Sequence, residues 1–276
     1  MTYATIMVHL QPGRSNARIL GVAAELADRF HAAVVGIAAC QPIRIVYSEG
    51  YIPTDILDKD RAEREAELAA AEAEFRGALS QNVRRLAWRS GLTDAPLGDY
   101  FAHEARLADL IVTGVDREAT VFDHTRHLDL GYFVMNAGRP VLIVPSGREQ
   151  PKFDRALIGW KDSRETRRAV ADALPMLKKA AHVVVTELAH EDELGAAAAR
   201  VEDVRHWLEG HGVRAEIEAL ASTGDDAHRL HALMLQHKAD FLVAGAYGHS
   251  RMREWVFGGV TRDLLLKAGR CALVSH

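Results

Sequence analysis

Cysteine is nearly absent from this chain: only Cys40 and Cys271 occur in 276 residues. They stand far apart near the ends of predicted strands, which argues against a disulfide framework or a zinc cluster and for two buried thiols. No apolar run approaches the roughly 20 residues of a membrane span. The opening Met1-Thr-Tyr-Ala-Thr-Ile-Met-Val8 has neither the charged region nor the long apolar stretch of a secretion signal, so a cytoplasmic location is expected. Charge of one sign is also scarce. With 38 acidic against 34 basic residues the net charge is −4, and no whole-chain field exists to attract nucleic acid or an acidic membrane. The Gly-x4-Gly-Lys-Ser/Thr run and the nucleophile-elbow sequence are both missing, and nothing else supplies an evident general base or metal-held water. The sequence therefore argues against an efficient enzyme.

What the chain does have is repetition. Ala108-Asp-Leu-Ile-Val-Thr-Gly114 returns as Ala239-Asp-Phe-Leu-Val-Ala-Gly245, and Ala137-Gly-Arg-Pro-Val-Leu-Ile-Val144 returns as Ala268-Gly-Arg-Cys-Ala-Leu-Val-Ser275, both at an offset of 131 residues. The opening blocks Tyr3–His9 and Arg155–Lys161 also correspond, each an apolar strand ending in a polar residue. Each leads into an Ala/Leu-rich helix, about 14–30 and 163–179, the second with Ser163 as N-cap, and then into the strands Ala33–Ile37 and His182–Thr186.

The halves diverge next. The first carries a long charged helix over about 61–90, with a short strand near 86–90 or slightly earlier; the second carries a helix over about 192–210 and a strand over 214–220. Helices at about 96–107 and 225–237 lead to the fourth strands. The polar segment Ser146-Gly-Arg-Glu-Gln-Pro-Lys152 marks the boundary between domains 1–147 and 153–276. Alternating strands and helices predict an α/β fold of two tandem domains, each a Rossmann-like, doubly wound, parallel five-stranded sheet flanked by helices. Ligands would then sit at the carboxyl ends of strands.

The glycines concentrate in one informative place. Gly245-Ala-Tyr-Gly248-His-Ser-Arg-Met-Arg-Glu-Trp-Val-Phe-Gly258-Gly259-Val-Thr261 joins the apolar run 239–244 to a predicted helix over 261–268. Small residues between a strand and a helix start let backbone N–H groups close on phosphate oxygens, aided by the partial positive charge of the helix end. A turn with no ligand is the bland alternative. His249, Ser250, Arg251 and Arg253 suit either phosphate contact or an exposed loop, and Trp255 and Phe257 read as packing anchors.

At these residues the chain resembles the universal stress protein family, in its tandem two-domain form. Gly245-x2-Gly248-x9-Gly258 fits the family's Gly-x2-Gly-x9-Gly nucleotide loop, although position 259 is Gly where the family has Ser or Thr. The resemblance implies a stress-response protein whose second domain binds an adenine nucleotide, ATP with or without magnesium, at Gly245, Gly248, His249, Arg251, Gly258, Gly259 and Val260. Lys161 and Asp162 would stand where the family carries an acidic residue facing the nucleoside, and 188–190 would border the base. It also implies that the two domains pack as a pseudo-dimer through their last strands, 141–145 and 272–276, with an unidentified protein partner and further homodimerisation left open. In the first half Arg117 and His127 replace the second and third glycines, and side chains there occupy space that the backbone would need. The first half is therefore expected to have lost the phosphate site, its loop offering the charged set Asp116, Arg117, Glu118, Asp123, His124, Arg126, His127 and Asp129 instead.

Two other functions stay in view: an interaction scaffold without nucleotide, and a weak ATPase. The 14 histidines include the pairs His124/His127 and His228/His231, but zinc needs three or four converging ligands, so no metal is expected.

Overall fold

The computed structural model describes residues 2–43, 54–115, 125–145, 151–246 and 270–276. The first half runs β1 (Thr5–His9), α1 (Ala17–Phe30), β2 (Ala33–Cys40), α2 (Thr54–Leu79), β3 (Leu86–Leu92), α3 (Leu97–Glu104), β4 (Leu110–Gly114), α4 (Leu130–Asn136) and β5 (Val141–Val144). The second runs β6 (Arg155–Trp160), α5 (Arg164–Leu177), β7 (His182–Ala189), α6 (Leu194–Gly210), β8 (Glu216–Ala221), α7 (Asp226–Gln236), β9 (Phe241–Gly245) and β10 (Cys271–Ser275). The repeated βαβ units form one mixed sheet of ten strands, ordered β3-β2-β1-β4-β5-β10-β9-β6-β7-β8, rather than two separate five-stranded sheets. The reason is the antiparallel pairing of β5 with β10, which opposes Val141 to Val274 and Ile143 to Ala272. Two hydrophobic edges that would each expose unpaired amides satisfy one another.

Strand alternation sends side chains to two faces. On one, Ile6, Val8, Val34 and Val112 pack with the apolar stripe of α1; on the other, Met7, Ile37 and Ile111 pack with Phe101 of α3 and Phe133 of α4. Burial on both faces makes the inner strands continuously apolar. Cys40 and Cys271 are both buried, and burial pushes the Cys271 thiol up to about 12. Among the described residues no helix is long and apolar enough to cross a membrane, and no three His, Cys, Asp or Glu converge as metal ligands.

The Ala-Asp pair that opens each fourth-strand repeat has a physical cause. Oδ2 of Asp109 accepts the N–H groups of Ala4 and Thr5 at 2.8 and 2.9 Å, and Oδ2 of Asp240 accepts those of Asp154 and Arg155, both at 2.9 Å. Each carboxylate fastens the entrance of its half's first strand to its fourth. Asp240→Ala would strand two amides at the entrance of β6, those of Asp154 and Arg155, and we expect a loss of about 2 kcal/mol, read from the urea midpoint. An unchanged midpoint would show that water replaces the carboxylate without cost.

Two further sequence expectations need correction. α2 starts at Thr54 and ends at Leu79, so it does not reach residue 90, and β3 follows a turn. The first and sixth strands also correspond differently from the block alignment. Ile6 lies opposite Leu110 as Ala156 lies opposite Phe241, and with the Asp109 and Asp240 clamps this makes the offset between β1 and β6 150 residues. His9 therefore matches Gly159, and Lys161 matches Gln11. The alignment erred because the loop from β1 to α1 is longer than that from β6 to α5, and it hid the slip.

Candidate functional site

In each half the chain winds outward from the first strand and then returns to the fourth on its other side, so the order reverses between β1 and β4 and between β6 and β9. A crevice at the carboxyl ends of such strands is where doubly wound folds hold ligands. In the second half this edge is built by Gly159 and Trp160 of β6, by Ala244 and Gly245 of β9, and by the turn Lys161-Asp-Ser163 into α5.

Ser163 caps α5 by accepting the Thr166 N–H at 3.3 Å. The helix start then lies directly on Gly245, where an added Cβ would fall 2.5 Å from the Thr166 backbone nitrogen. The first glycine of the loop is thus demanded by helix-on-strand packing, a reason independent of any ligand. Glu165 is buried beside it. Burial raises its carboxyl, but hydrogen bonds from the Arg164 guanidinium, from its own N–H and from the Ser163 hydroxyl outweigh that and hold it below the usual range. Lys161 is exposed, and Asp162 is exposed and paired with Arg167 at 2.6 Å. Across the sheet, Trp160 stands in register with Glu187, a buried carboxylate whose oxygens accept from Arg200 Nε at 2.9 and 3.1 Å. That buried pair was not evident from the sequence; a charged residue inside the run Val183-Val-Val-Thr-Glu187 is the signal that would have found it.

The two edges differ in what fills them. In the first half the His9 ring is 2 % exposed, hydrogen-bonds the Thr113 hydroxyl through Nδ1 at 2.9 Å and lies 4.4 Å from the Phe101 ring. By strand register the second half puts Gly159 at His9, Ala244 at Thr113 and Thr186 at Ile37. The imidazole and its partner are gone, and Gly159, Trp160 and Ala244 are partly exposed where their counterparts His9, Leu10 and Thr113 are buried. Among the described residues, two buried polar atoms near this edge, Thr186 Oγ1 on one face of the sheet and the Trp160 indole nitrogen on the other, have no hydrogen-bond partner. Unsatisfied buried groups are few in native proteins, and a bound ligand or water is one ordinary explanation. The second edge thus lacks the imidazole–hydroxyl pair of the first, and among the described residues the side chain nearest to where a Gly159 Cβ would stand is Leu230, at 3.6 Å.

Gly248, His249, Arg251, Gly258, Gly259 and Val260, with Trp255 and Phe257, lie outside the described residues, as do Asp116 to His124 of the first-half loop. Of that loop's charged set, Arg126 pairs with Glu67 of α2, and Asp129 caps α4 by accepting the Tyr132 N–H at 3.0 Å. Both have structural duties. The structure brings Gly245 and the turn carrying Lys161 and Asp162 to one edge.

No family model and no curated protein matches the chain. Among solved structures, a universal stress protein from Archaeoglobus fulgidus matches with a TM-score of 0.75 and 12% identity, over 98% of this chain and 95% of its own. A functionally unknown protein from Pseudomonas aeruginosa matches with a TM-score of 0.60 and 14% identity, over 99% of this chain and 92% of its own. At such identities the likeness is one of fold. It extends along both halves.

Proposed function

We infer that this chain, which has the fold of a universal stress protein along its whole length, is a tandem member of that family. We propose that its halves, 1–147 and 153–276, form an intramolecular pseudo-dimer in which only the second binds an adenine nucleotide, ATP with or without magnesium. The observation that carries this reading is the unequal filling of two equivalent edges: the hydrogen-bonded His9 and Thr113 and the Phe101 ring close the first, while in the second Gly159 and Ala244 replace that pair and, among the described residues, the atoms nearest to where a Gly159 Cβ would stand are the Leu230 and Leu242 methyls. The phosphates would meet the backbone from Gly245 through Gly248 to Gly258, Gly259 and Val260, with His249 and Arg251 beside them. Lys161 and Asp162 would face the sugar or phosphates. Contact between the nucleotide and the glycine loop would change the surface offered to a protein partner, which makes the nucleotide a regulatory switch rather than a substrate. A cytoplasmic stress-response role follows from the family reading.

A specific observation favours a second reading. Arg167 already holds Asp162, and Gly259 lacks a hydroxyl, as a scaffold without nucleotide would allow. Mass spectrometry of small molecules released from the freshly purified chain separates the two. We expect an adenine nucleotide at no more than one per chain. Release of no nucleotide, and none retained after incubation with ATP, would favour the scaffold.

A further inference from the structure

The start of the glycine loop is connected to the other half of the molecule by a partly buried polar path through Asp172. Gly245 pairs with Ser275 in the β9–β10 ladder, and the Ala246 N–H donates to the Ser275 carbonyl at 2.9 Å. The Ser275 hydroxyl donates to Oδ2 of Asp172 on α5 at 2.8 Å. The Asp172 carbonyl in turn accepts the Tyr3 hydroxyl at 2.7 Å, a contact across 169 residues of sequence. Tyr3 and Ser275 are both buried. Burial, and then the carboxylates of Asp172 and Asp109, push the Tyr3 phenol far up, so it remains a donor at every physiological pH. The same helix meets the first half again where Arg168 donates to the Gly138 carbonyl at 3.0 Å, and its first turn rests on Gly245.

The symmetry-related path does not exist. Phe153 occupies the position equivalent to Tyr3 under the β1–β6 offset, and Val144 that equivalent to Ser275 under the repeat offset. Neither has a hydroxyl. α1 and α5 are both 14 residues long, so Asp172 matches Glu25, whose carboxylate pairs with Arg29 on its own helix at 3.5 Å. Burying hydroxyls costs free energy unless each is bonded, and on the other side of the seam the polar contact between the halves is made instead by Arg29 of α1, which donates to the Phe153 carbonyl at 3.0 Å and pairs with Asp154 at 2.9 Å. Among the described residues, the version built from hydroxyls and a carboxylate is the one on the side that leads to the glycine loop.

We propose that Tyr3 and Ser275 are positioning residues that act through Asp172, holding α5 and the end of β9 in place, so that the first half sets the ligand affinity of the second. The proposal rests on the nucleotide reading above. By linkage, whatever the path adds to ligand affinity the ligand returns as stabilisation of the seam. Contiguity alone does not establish coupling, so the test is a double-mutant cycle on the full-length chain.

ATP titration calorimetry would compare the parent, Tyr3→Phe, Ser275→Ala and the double variant, with Val204→Ala in the α6 core as a stability control. We expect each single change to weaken ATP binding about fivefold or more. The double variant should be little worse than the weaker single, and the control should stay within about twofold of the parent. Unchanged affinity in the single variants, additive losses in the double, or an equal loss in the control would overturn the proposal. Failure of the parent to bind ATP would instead sink the nucleotide reading. The urea midpoints of the same proteins then decide the path alone: non-additive destabilisation by Tyr3→Phe and Ser275→Ala supports it, and additive destabilisation overturns it.

Discussion

Gly245→Val is expected to destabilise the second half severely and to abolish nucleotide binding with it. An added Cβ would lie 2.5 Å from the Thr166 nitrogen, 2.7 Å from Thr166 Oγ1 and 2.8 Å from the Glu165 carbonyl carbon. Relaxed contacts between non-bonded heavy atoms lie near about 3.5–4.0 Å, and two of these three atoms belong to the helix backbone, so no rotamer change relieves the clash. α5 must move off β9 as a body, at a cost of about 3 kcal/mol or more. Gly114 is the internal control. There the nearest atom to an added Cβ is Cδ1 of Ile19 at 2.8 Å, the far end of a side chain that can turn away. We expect Gly114→Val to cost about 1 kcal/mol, at the low end of overpacking. Urea unfolding of both variants checks the comparison, and equal midpoints would mean that α5 is not seated on Gly245 as described.

Gly248→Arg should act on the ligand rather than on the fold. The first half already carries this substitution, since Arg117 stands at the equivalent position under the repeat offset, and its edge is closed by His9. An arginine introduces a side chain where the phosphate needs bare backbone and disfavours any positive φ that the loop requires. ATP affinity should fall at least about 100-fold, equivalent to about 3 kcal/mol, while the urea midpoint stays at that of the parent. Parent-like ATP binding in this variant would remove the glycine loop from the account.

Much of the architecture was legible because it is written twice. The Ala-Asp pairs at 108–109 and 239–240 recur because each aspartate must clamp a first strand, and the closing blocks recur because β5 and β10 must pair with each other. Hydrophobic periodicity cannot show that two sheets merge, since an edge strand and an inner strand of this kind are equally apolar. The register of β1 against β6 was lost to a difference in the length of the following loop, and the charged composition of α2 blurred both of its ends. At the site, Gly245 was legible as a glycine but not its cause, which is the close approach of Thr166. The replacement of His9 by Gly159, the most telling difference between the halves, needed strand register before it could be seen. Asp162 sits at the expected edge, yet its pairing with Arg167 depends on how the α5 turn is folded.

The most direct test is the stoichiometry of ATP binding to the intact chain by titration calorimetry. One ATP per chain is predicted, lost in Gly248→Arg and retained in His9→Ala. Two sites per chain, or one that survives Gly248→Arg and disappears in His9→Ala, would contradict the assignment of the ligand to the second half.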